Sequence, residues 1–250
     1  MAPREQTTRP RVAVIIPTLN EEEPIGAVVG AVPRDAVDEI IVADSGSTDR
    51  TAERARAAGA RVVVERQRGY GRACAAGVRA AGDCDILVFL DGDGSDRPEL
   101  MPRLIAPIAD GTHDFVIGSR TRGERERGSM NTLQVAAGYV AGALTRLLYG
   151  FTYTDMCAFR AIRRTSLERL GMREMTYGWN LEMQMRAARA GLRILEVPVA
   201  HRRRAGGTSK VSGTVTGTLK AGLRITATFA RVAFERRERS PKTLDRAVEE

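Results

Sequence analysis

Two aspartates one residue apart are the feature of this sequence with the clearest chemical potential. Asp91 and Asp93 follow the apolar run 86–90, which predicts a buried strand. Where a chain leaves the pleat of a strand, both carboxylates can turn toward one cation. A hard divalent ion such as Mg²⁺ takes oxygen ligands and shares them with substrate phosphates, and it neutralises charge on a departing diphosphate. The pair therefore predicts a metal and diphosphate site.

Two other interpretations compete for the same segment, 91–96. Asp-Gly and Asp-Gly-Ser are ordinary turn formers, so the segment can be a turn without chemistry. The apolar strand before it favours function over that reading. A calcium-binding loop needs Glu at its twelfth position and Gly at its sixth. Pro102 and Asp96 stand at those places, which excludes the loop.

The elements that must position this pair form a regular pattern in the first half of the chain. Apolar runs alternate with helix-like stretches and short links, which predicts an α/β fold whose parallel sheet is covered by helices. Ligands of such sheets bind beyond the carboxyl ends of the strands. The predicted strands are 11–16, 39–43, 61–64, 85–90 and 114–118, and the predicted helices are 22–32, 49–58, 70–81 and one beginning near Pro98.

Polar segments follow three of these strands at the edge where a ligand is expected. Residues 17–21 follow the first strand, 44–47 the second, and 91–96 the fourth. The second half of the chain is less regular. It predicts a loop at 121–130, helices at 131–149 and 179–190, strands at 159–162 and 192–199, and helical spacing over 211–234.

Several other kinds of site lack the residues that they need. His113 and His201 are the two histidines, and no GxSxG elbow accompanies them. The Cys and His supply cannot build a zinc site. Gly69 and Gly71 begin a dinucleotide fingerprint, but Cys74 takes the place of its third glycine. Those glycines can let backbone approach a phosphate or can simply form a turn that begins a helix.

The formal net charge of +8 fits an anionic partner, or reflects an Arg-rich composition. A nucleic-acid-binding module is disfavoured, because aromatic interleaving and binding motifs are lacking. The three cysteines have no CxxC spacing, the first eleven residues are polar, and no run of about 18 apolar residues occurs. We therefore expect a cytoplasmic protein with reduced thiols and no transmembrane helix.

Six segments in chain order carry a family pattern: 15–22, 42–49, 91–96, 118–120, 155–160, and 196–199 with Arg204 and 207–210. Together they resemble the family 2 glycosyltransferases of GT-A fold, most closely the dolichol- or polyprenol-phosphate hexosyltransferase branch. The resemblance implies a mostly parallel sheet flanked by helices. Ala158 stands where that family usually has Gly, and Trp179 and Asn180 also depart from it.

The resemblance implies a role for each matching residue. It implies a base and ribose pocket lined by Pro17, Asn20, Glu21 and Asp44. It implies that Asp91, Gly92 and Asp93 hold the diphosphate, with Mg²⁺ or Mn²⁺ on the two aspartates. It implies that Arg120, Arg204 and Lys210 meet donor and acceptor phosphates, which suits the Arg fork and the Lys point charge. Arg202 and Arg203 are assigned to a solvated face.

The resemblance also implies inversion at the anomeric carbon. Asp155 is the first candidate for a catalytic carboxylate near the acceptor, and Asp93, which is expected to hold the metal, is also assigned a catalytic role. Glu182 is the second candidate, and a solvated helix residue is the alternative for it. A hydroxyl acceptor benefits from a carboxylate base. A phosphate acceptor is already an anion and needs positioning and charge compensation.

The expected function is transfer of a hexose from a UDP- or GDP-linked sugar to polyprenyl or dolichyl phosphate. The alternative is the same donor chemistry on a soluble metabolite or glycan. A nucleotidyltransferase is disfavoured because no Gly-rich basic loop follows the first strand. The expected organisation is a flexible N-terminus (1–10), a catalytic domain (11–210), an amphipathic helical segment (211–236) and a charged tail (237–250).

Two interpretations remain open for the apolar residues of 211–234. The segment can lie on the inner face of the membrane with basic side chains toward the headgroups. It can instead pack on the catalytic domain or on a partner subunit, and its many Thr and Gly residues favour packing. The oligomeric state is open.

Overall fold

The structure is a computed structural model that describes residues 9–206 and 215–235, with the backbone alone for 215–221. Lys210, the predicted tail at 237–250 and most of the predicted N-terminal segment at 1–10 lie outside the described residues. Within them, no helix has the length and apolar character needed to cross a membrane.

The described residues contain a seven-stranded sheet with the order β3-β2-β1-β4-β6-β5-β7. Strands β1 to β4 and the β5–β7 pair are parallel, while β6 is antiparallel to both β4 and β5. The expectation of a mostly parallel sheet flanked by helices is therefore confirmed. The strands are β1 (Val12–Thr18), β2 (Glu39–Asp44), β3 (Arg61–Val64), β4 (Ile86–Phe89), β5 (Phe115–Ser119), β6 (Arg160–Arg163) and β7 (Ile194–Pro198).

The central strands are buried on both faces because helices cover the two sides of the sheet. Every residue of β1 and β4 is buried, which explains their continuous apolar sequences. The helices are α1 (Ile25–Gly30), α2 (Thr51–Ala57), α3 (Tyr70–Ala80), α4 (Met101–Ala109), α5 (Thr132–Tyr149), α6 (Arg164–Leu170), α7 (Trp179–Arg189) and α8 (Val215–Phe234).

Two helices differ from the sequence prediction. Helix α1 begins at Ile25, three residues later than the predicted start at 22. The reason is that residues 21 and 22 donate their backbone amides to side chains of the 49–51 segment instead of beginning a helix. Helix α6 was not predicted, because it is only seven residues long and most of those residues are polar.

Helix α5 lies unusually close to the segment that follows it. Its N-terminus has a capping box, in which Asn131 and Gln134 exchange hydrogen bonds between side chain and backbone. The side of α5 that faces the domain is made of small residues, including Gly138 and Gly142. A Cβ at Gly142 would overlap the backbone oxygen of Tyr153. Only glycine lets this helix approach so closely.

Helix α8 packs on α7, where Val232 contacts Leu181 and Met185. Arg231 adds ion pairs to Glu174 (3.3 Å) and Glu182 (2.8 Å). Of the two interpretations left open for 211–234, packing on the catalytic domain therefore describes residues 222–235. Residues 211–214 lie outside the described part.

Gly142→Ala should lower the free energy of unfolding by about 2 kcal/mol or more, because the new methyl forces α5 away from Tyr153. Gly222→Ala is the matched control, since Gly222 lies in α8 and nothing lies within 4 Å of its Cβ position. That change should be neutral or stabilising by up to about 1 kcal/mol. Urea denaturation measures both, and equal effects would contradict the close contact.

Candidate active site

The loop after β4 is folded by its own aspartates. The Asp93 carboxylate accepts hydrogen bonds from the backbone N–H (2.9 Å) and hydroxyl (2.6 Å) of Ser95. The Asp96 carboxylate accepts the backbone N–H of Asp91 at 3.1 Å. A Cβ at Gly92 would come within 2.7 Å of the Thr18 methyl. The loop can therefore lie against the end of β1 only with glycine at that position.

The carboxylates of this loop repel one another. Burial raises the pKa of Asp91 to about 7, and the negative charges of Asp93 and Asp96 contribute to the increase. A cation placed here would relieve that repulsion. No group of three or more His, Cys, Asp or Glu side chains with the arrangement of a complete metal site occurs in the described part of the chain. Two carboxylates nevertheless fit Mg²⁺ or Mn²⁺, since such ions take their remaining ligands from phosphates and water.

Arg204 joins this loop to the segment after β1. Its guanidinium contacts both carboxylate oxygens of Glu21 at 2.8 and 3.0 Å and Asp93 Oδ2 at 3.0 Å. Backbone hydrogen bonds hold the same segment on the loop, from Ala205 N–H to the Asp93 carbonyl and from Arg202 N–H to the Ser95 carbonyl, both at 3.0 Å. The structure thus brings Glu21, Asp93 and Arg204 together.

Hydrogen bonds of side chains hold together the segments at the ends of β1 and β2. Asp44 is buried and accepts hydrogen bonds from the Ser47 backbone N–H (3.0 Å) and hydroxyl. The Asn20 side chain accepts the backbone N–H of Thr48 at 2.8 Å, and the Asn20 N–H donates to the Ser47 hydroxyl at 2.9 Å. Asn20 has a positive φ of 53°, which Asn tolerates better than most residues. Pro17 is buried in β1.

A second arginine is held beyond β5. Arg120 forms a two-pronged ion pair with Asp155, with Nε–Oδ2 at 2.7 Å and Nη2–Oδ1 at 2.8 Å. The backbone N–H groups of Arg120 and Met156 donate to the same carboxylate at 2.9 and 2.7 Å. Burial alone would raise the pKa of Asp155, but hydrogen bonds and charge from Arg120 outweigh it and lower the pKa. Asp155 is thus an ionised anchor that orients Arg120.

Glu182 does not lie at the solvent-exposed surface of its helix, where its alternative interpretation placed it. It is fully buried, so it is not a solvated helix residue. Its carboxylate accepts the backbone N–H groups of Arg173 (2.9 Å) and Glu174 (2.6 Å) and the guanidinium groups of Arg186 (3.0 Å) and Arg231 (2.8 Å). These contacts join α7, the loop before it and α8. The catalytic role of Glu182 stays a prediction.

The start of α3 was missed as part of the site, although its glycines were noticed. A Cβ at Gly69 would overlap the backbone oxygen of Met175, and one at Gly71 that of Glu174. These glycines therefore make room for protein backbone at a turn that begins a helix. Between them, Tyr70 lies in the electrostatic field of Asp91, and burial followed by that charge raises the Tyr70 pKa. Nothing in the local sequence predicts the partner loop.

His201 is a further residue that sequence reasoning did not place. Its ring Nδ1 lies 3.7 Å from Asp96 Oδ1, and both side chains are buried. The His201 backbone is held between residues 124 and 126 by two hydrogen bonds of 2.9 Å. The signal that could have found it is its position between the end of β7 and the basic cluster 202–204.

The comparison with known protein families decides the family. Residues 13–171 match the family described as glycosyl transferase family 2. The chain belongs to that family.

Relatives of this family 2 glycosyltransferase include enzymes whose names contain a polyprenyl or dolichyl phosphate. It is 36% identical to an undecaprenyl-phosphate mannosyltransferase of Micrococcus luteus, over 83% of this chain and 90% of the relative. It is 39% identical to a dolichyl-phosphate hexose transferase of Haloferax volcanii, over 79% of this chain and 85% of the relative. The resemblance to the polyprenol-phosphate hexosyltransferase branch is thereby supported.

Solved structures of the GT-A fold resemble this glycosyltransferase as well. One is glucosyl-3-phosphoglycerate synthase from Mycobacterium tuberculosis in complex with Mn²⁺, UDP-glucose and phosphoglyceric acid. The TM-score is 0.72 at 27% identity, and the match covers 90% of this chain and 80% of that one. The expected GT-A fold is confirmed, and divalent-metal dependence is supported in general terms.

The raised pKa of Asp91 predicts how the stability of this glycosyltransferase depends on pH. The folded-state pKa of about 7 lies above the usual 3.8, so the folded protein keeps a proton that the unfolded chain loses. The Asp91 contribution to the free energy of unfolding is therefore present below about pH 4 and lost as the pH rises to about 7. In metal-free buffer, wild type should lose stability relative to Asp91→Asn between pH 5 and 8.

Urea denaturation of both proteins at pH 5 and at pH 8 measures this difference. Because the other titrating groups are present in both proteins, their contributions drop out of the comparison. Adding Mn²⁺ at pH 8 should restore stability to wild type more than to Asp91→Asn, because a bound ion stabilises the folded state. A stability difference that does not change with pH would contradict the assigned pKa.

Proposed function

We propose that this chain transfers a hexose from a UDP- or GDP-linked sugar to polyprenyl or dolichyl phosphate, with inversion at the anomeric carbon. The observation that carries the proposal is the alternation of charges at one edge of the sheet. Arg204 contacts both Glu21 and Asp93, and the Arg120–Asp155 pair follows β5, which β6 separates from β4 in the sheet. Such an array suits two phosphorylated substrates, and the named relatives act on such acceptors.

On the donor side, Asp91 and Asp93 would hold Mg²⁺ or Mn²⁺, with Gly92 allowing the loop to approach β1. When bound, the ion supplies positive charge to the departing diphosphate. Arg204 adds a guanidinium beside Asp93, from which it can donate to phosphate oxygens. Lys210 is proposed to assist it.

The nucleoside would lie across the locked ends of β1 and β2. Pro17 and Asn20 would shape that pocket, while Glu21 and Asp44 would accept hydrogen bonds from the base and ribose. The pairing between segments 20–21 and 47–51 makes the pocket rigid before the donor arrives, which reduces the entropy lost on binding.

On the acceptor side, the contacts favour a substrate that is already anionic. Both oxygens of Asp155 are engaged by Arg120 and by backbone N–H groups, so this carboxylate is poorly placed to take a proton. A phosphate acceptor needs no base, only orientation and charge compensation. Arg120 can provide both through its guanidinium. We therefore assign Asp155 to positioning Arg120, and keep Asp155 or Glu182 as the base only for a hydroxyl acceptor.

A soluble acceptor is the second candidate, because a specific structural likeness favours it. The similar synthase from Mycobacterium tuberculosis was solved with phosphoglyceric acid, a small phosphorylated acceptor. The same Arg120 would serve a lipid phosphate and a soluble phosphate alike. For the lipid acceptor, the protein would act from the cytoplasmic side as a peripheral protein at the inner face of the membrane.

Calorimetric titration with UDP, GDP, UDP-glucose and GDP-mannose, with and without Mn²⁺ or Mg²⁺, should show metal-dependent binding of one nucleotide family. Asp93→Ala should weaken that binding by about 100-fold, because the diphosphate loses the ion that neutralises it. Failure of every nucleotide to bind under every metal condition would contradict the proposed donor chemistry.

Asp155→Asn should lower kcat/KM for the phosphate acceptor by about tenfold or more while donor affinity stays near wild type, because Arg120 loses its ionic anchor. Asp114→Asn is the matched control. Asp114 forms a similar two-pronged pair with Arg193 (2.7 and 2.9 Å) at the other end of β5. Transfer of labelled sugar to undecaprenyl phosphate and to 3-phosphoglycerate measures both variants. Equal losses in the two variants would contradict a local role.

A further inference from the structure

The turn before α7 carries a buried carboxylate that two side chains of α8 hold. This turn consists of residues 174–178, and we call it the Glu174 turn. Glu174 Oε2 accepts a hydrogen bond from the Thr228 hydroxyl at 2.9 Å and forms an ion pair with Arg231 Nη2 at 3.3 Å. A Cβ at Gly178 would overlap the Thr228 hydroxyl. Helix α8 therefore lies directly on the Glu174 turn.

The same carboxylate also folds its own turn. Glu174 Oε1 accepts the backbone N–H of Thr176 at 2.9 Å, and it also accepts the Thr176 hydroxyl. One side chain thus connects the conformation of the turn to α8. A buried carboxylate that loses its cation keeps a charge without compensation, which is strongly unfavourable. Loss of Arg231 should therefore favour a conformation of the turn in which Glu174 reaches water.

The Glu174 turn in turn supports the start of α3. The first N–H groups of a helix have no partner within the helix. Here the Gly71 N–H donates to the Thr176 carbonyl at 3.3 Å, and the Arg72 N–H donates to the Met175 carbonyl at 3.0 Å. Since the two backbones touch, a displaced turn would displace the first turn of α3 and Tyr70 with it.

Two separate contacts lead from the Glu174 turn to Asp91. The first is Tyr70, whose hydroxyl oxygen is buried; burial, and after it the charge of Asp91, raises the Tyr70 pKa. The second is Trp179, which directly follows the turn and donates its backbone N–H to the Thr176 carbonyl at 3.4 Å. The Trp179 ring packs on Phe89 with centroids 6.5 Å apart, and Phe89 lies two residues before Asp91.

We propose that Arg231 is a positioning residue for the metal site, which holds the Glu174 turn against α3 and β4 and thereby fixes Asp91. The inference rests on the proposed metal and diphosphate site, and it adds α8 to the elements that set the affinity of that site. A loop that is fixed before its ligand arrives loses less entropy on binding. Docking of α8 thus controls how tightly the loop 91–96 binds a metal ion and a nucleotide.

Hydrogen exchange in metal-free buffer without nucleotide tests the proposal, in peptides that contain residues 69–73 and 91–96. Arg231→Met should speed exchange in both peptides by about tenfold or more, because local opening costs less free energy once the turn is released. Arg231→Lys keeps the charge and should stay within about threefold of wild type. Thr228→Val removes a contact to Glu174 while the Arg231 side chain stays, and should speed exchange in the same two peptides.

Arg189→Met is the matched control. Arg189 donates to the carbonyls of Val232 (3.2 Å) and Glu235 (2.7 Å) at the end of α8. Its loss loosens the same end of the helix while both α8 contacts to Glu174 remain. Exchange in the two peptides should therefore change by less than about threefold. Equal acceleration in Arg189→Met and Arg231→Met would overturn the proposal, since the effect would then be a general loss of stability.

Trp179 is the one tryptophan of the chain, and it is buried, so its fluorescence reports on the Glu174 turn. Acrylamide should quench the emission of Arg231→Met more strongly than that of wild type or Arg189→Met. In calorimetric titration with UDP and with GDP in the presence of Mn²⁺, Arg231→Met should bind the nucleotide that wild type binds about fivefold or more weakly. Arg189→Met should stay within about twofold.

Unchanged exchange of the 91–96 peptide in Arg231→Met would overturn the proposal, and so would wild-type affinity for the nucleotide in that variant. Absence of nucleotide binding by wild type would instead contradict the proposed function. The exchange and quenching measurements contain neither metal nor nucleotide, so they decide the positioning role of Arg231 in either case.

Discussion

The mutual repulsion of Asp91, Asp93 and Asp96 is the interaction on which the rest of the site depends. Their loop gathers like charges at the end of a buried strand, where low solvation makes each charge costly. The protein offsets part of that cost with the N–H groups of Ser95 and Asp91 and with the guanidinium of Arg204. The negative charge that remains would be stabilised by a cation, and it lies where the nucleotide diphosphate and its metal ion are proposed to bind.

The same balance explains why distant parts of the chain meet here. Arg204 lies 183 residues from Glu21 in sequence, yet it contacts both Glu21 and Asp93. Behind this layer, Glu174 and Glu182 hold Arg231 of α8. The loop that carries Glu174 also lies against the glycines at the start of α3, beside Tyr70 and Asp91. A continuous series of packed contacts therefore connects α8 to the proposed donor site.

The fold, and the edge of the sheet that carries the proposed donor site, were predictable because they follow from local patterns. Apolar runs such as 86–90 indicate strands on their own, and the polar residues after each strand must share one edge of a parallel sheet. The contacts of Asp155 and Glu182 were not predictable. A single sequence does not show that the neighbours of Asp155 saturate its oxygens, or that α8 covers Glu182. Both facts depend on contacts between distant residues, such as Arg231 with Glu182, which periodicity does not encode.

The antiparallel strand β6 has a consequence for how this protein family can vary. Since β5 and β6 run in opposite directions, the end of one lies beside the start of the other, and Arg120 and Asp155 meet there although 35 residues separate them. The excursion from 121 to 154, which contains α5, thus leaves and rejoins the sheet at one point. The length and sequence of such an insert can change while the Arg120–Asp155 ion pair at its base stays in place. A changed insert would then alter the proposed acceptor side and leave the proposed donor site, which lies at the ends of β1, β2 and β4, as it is.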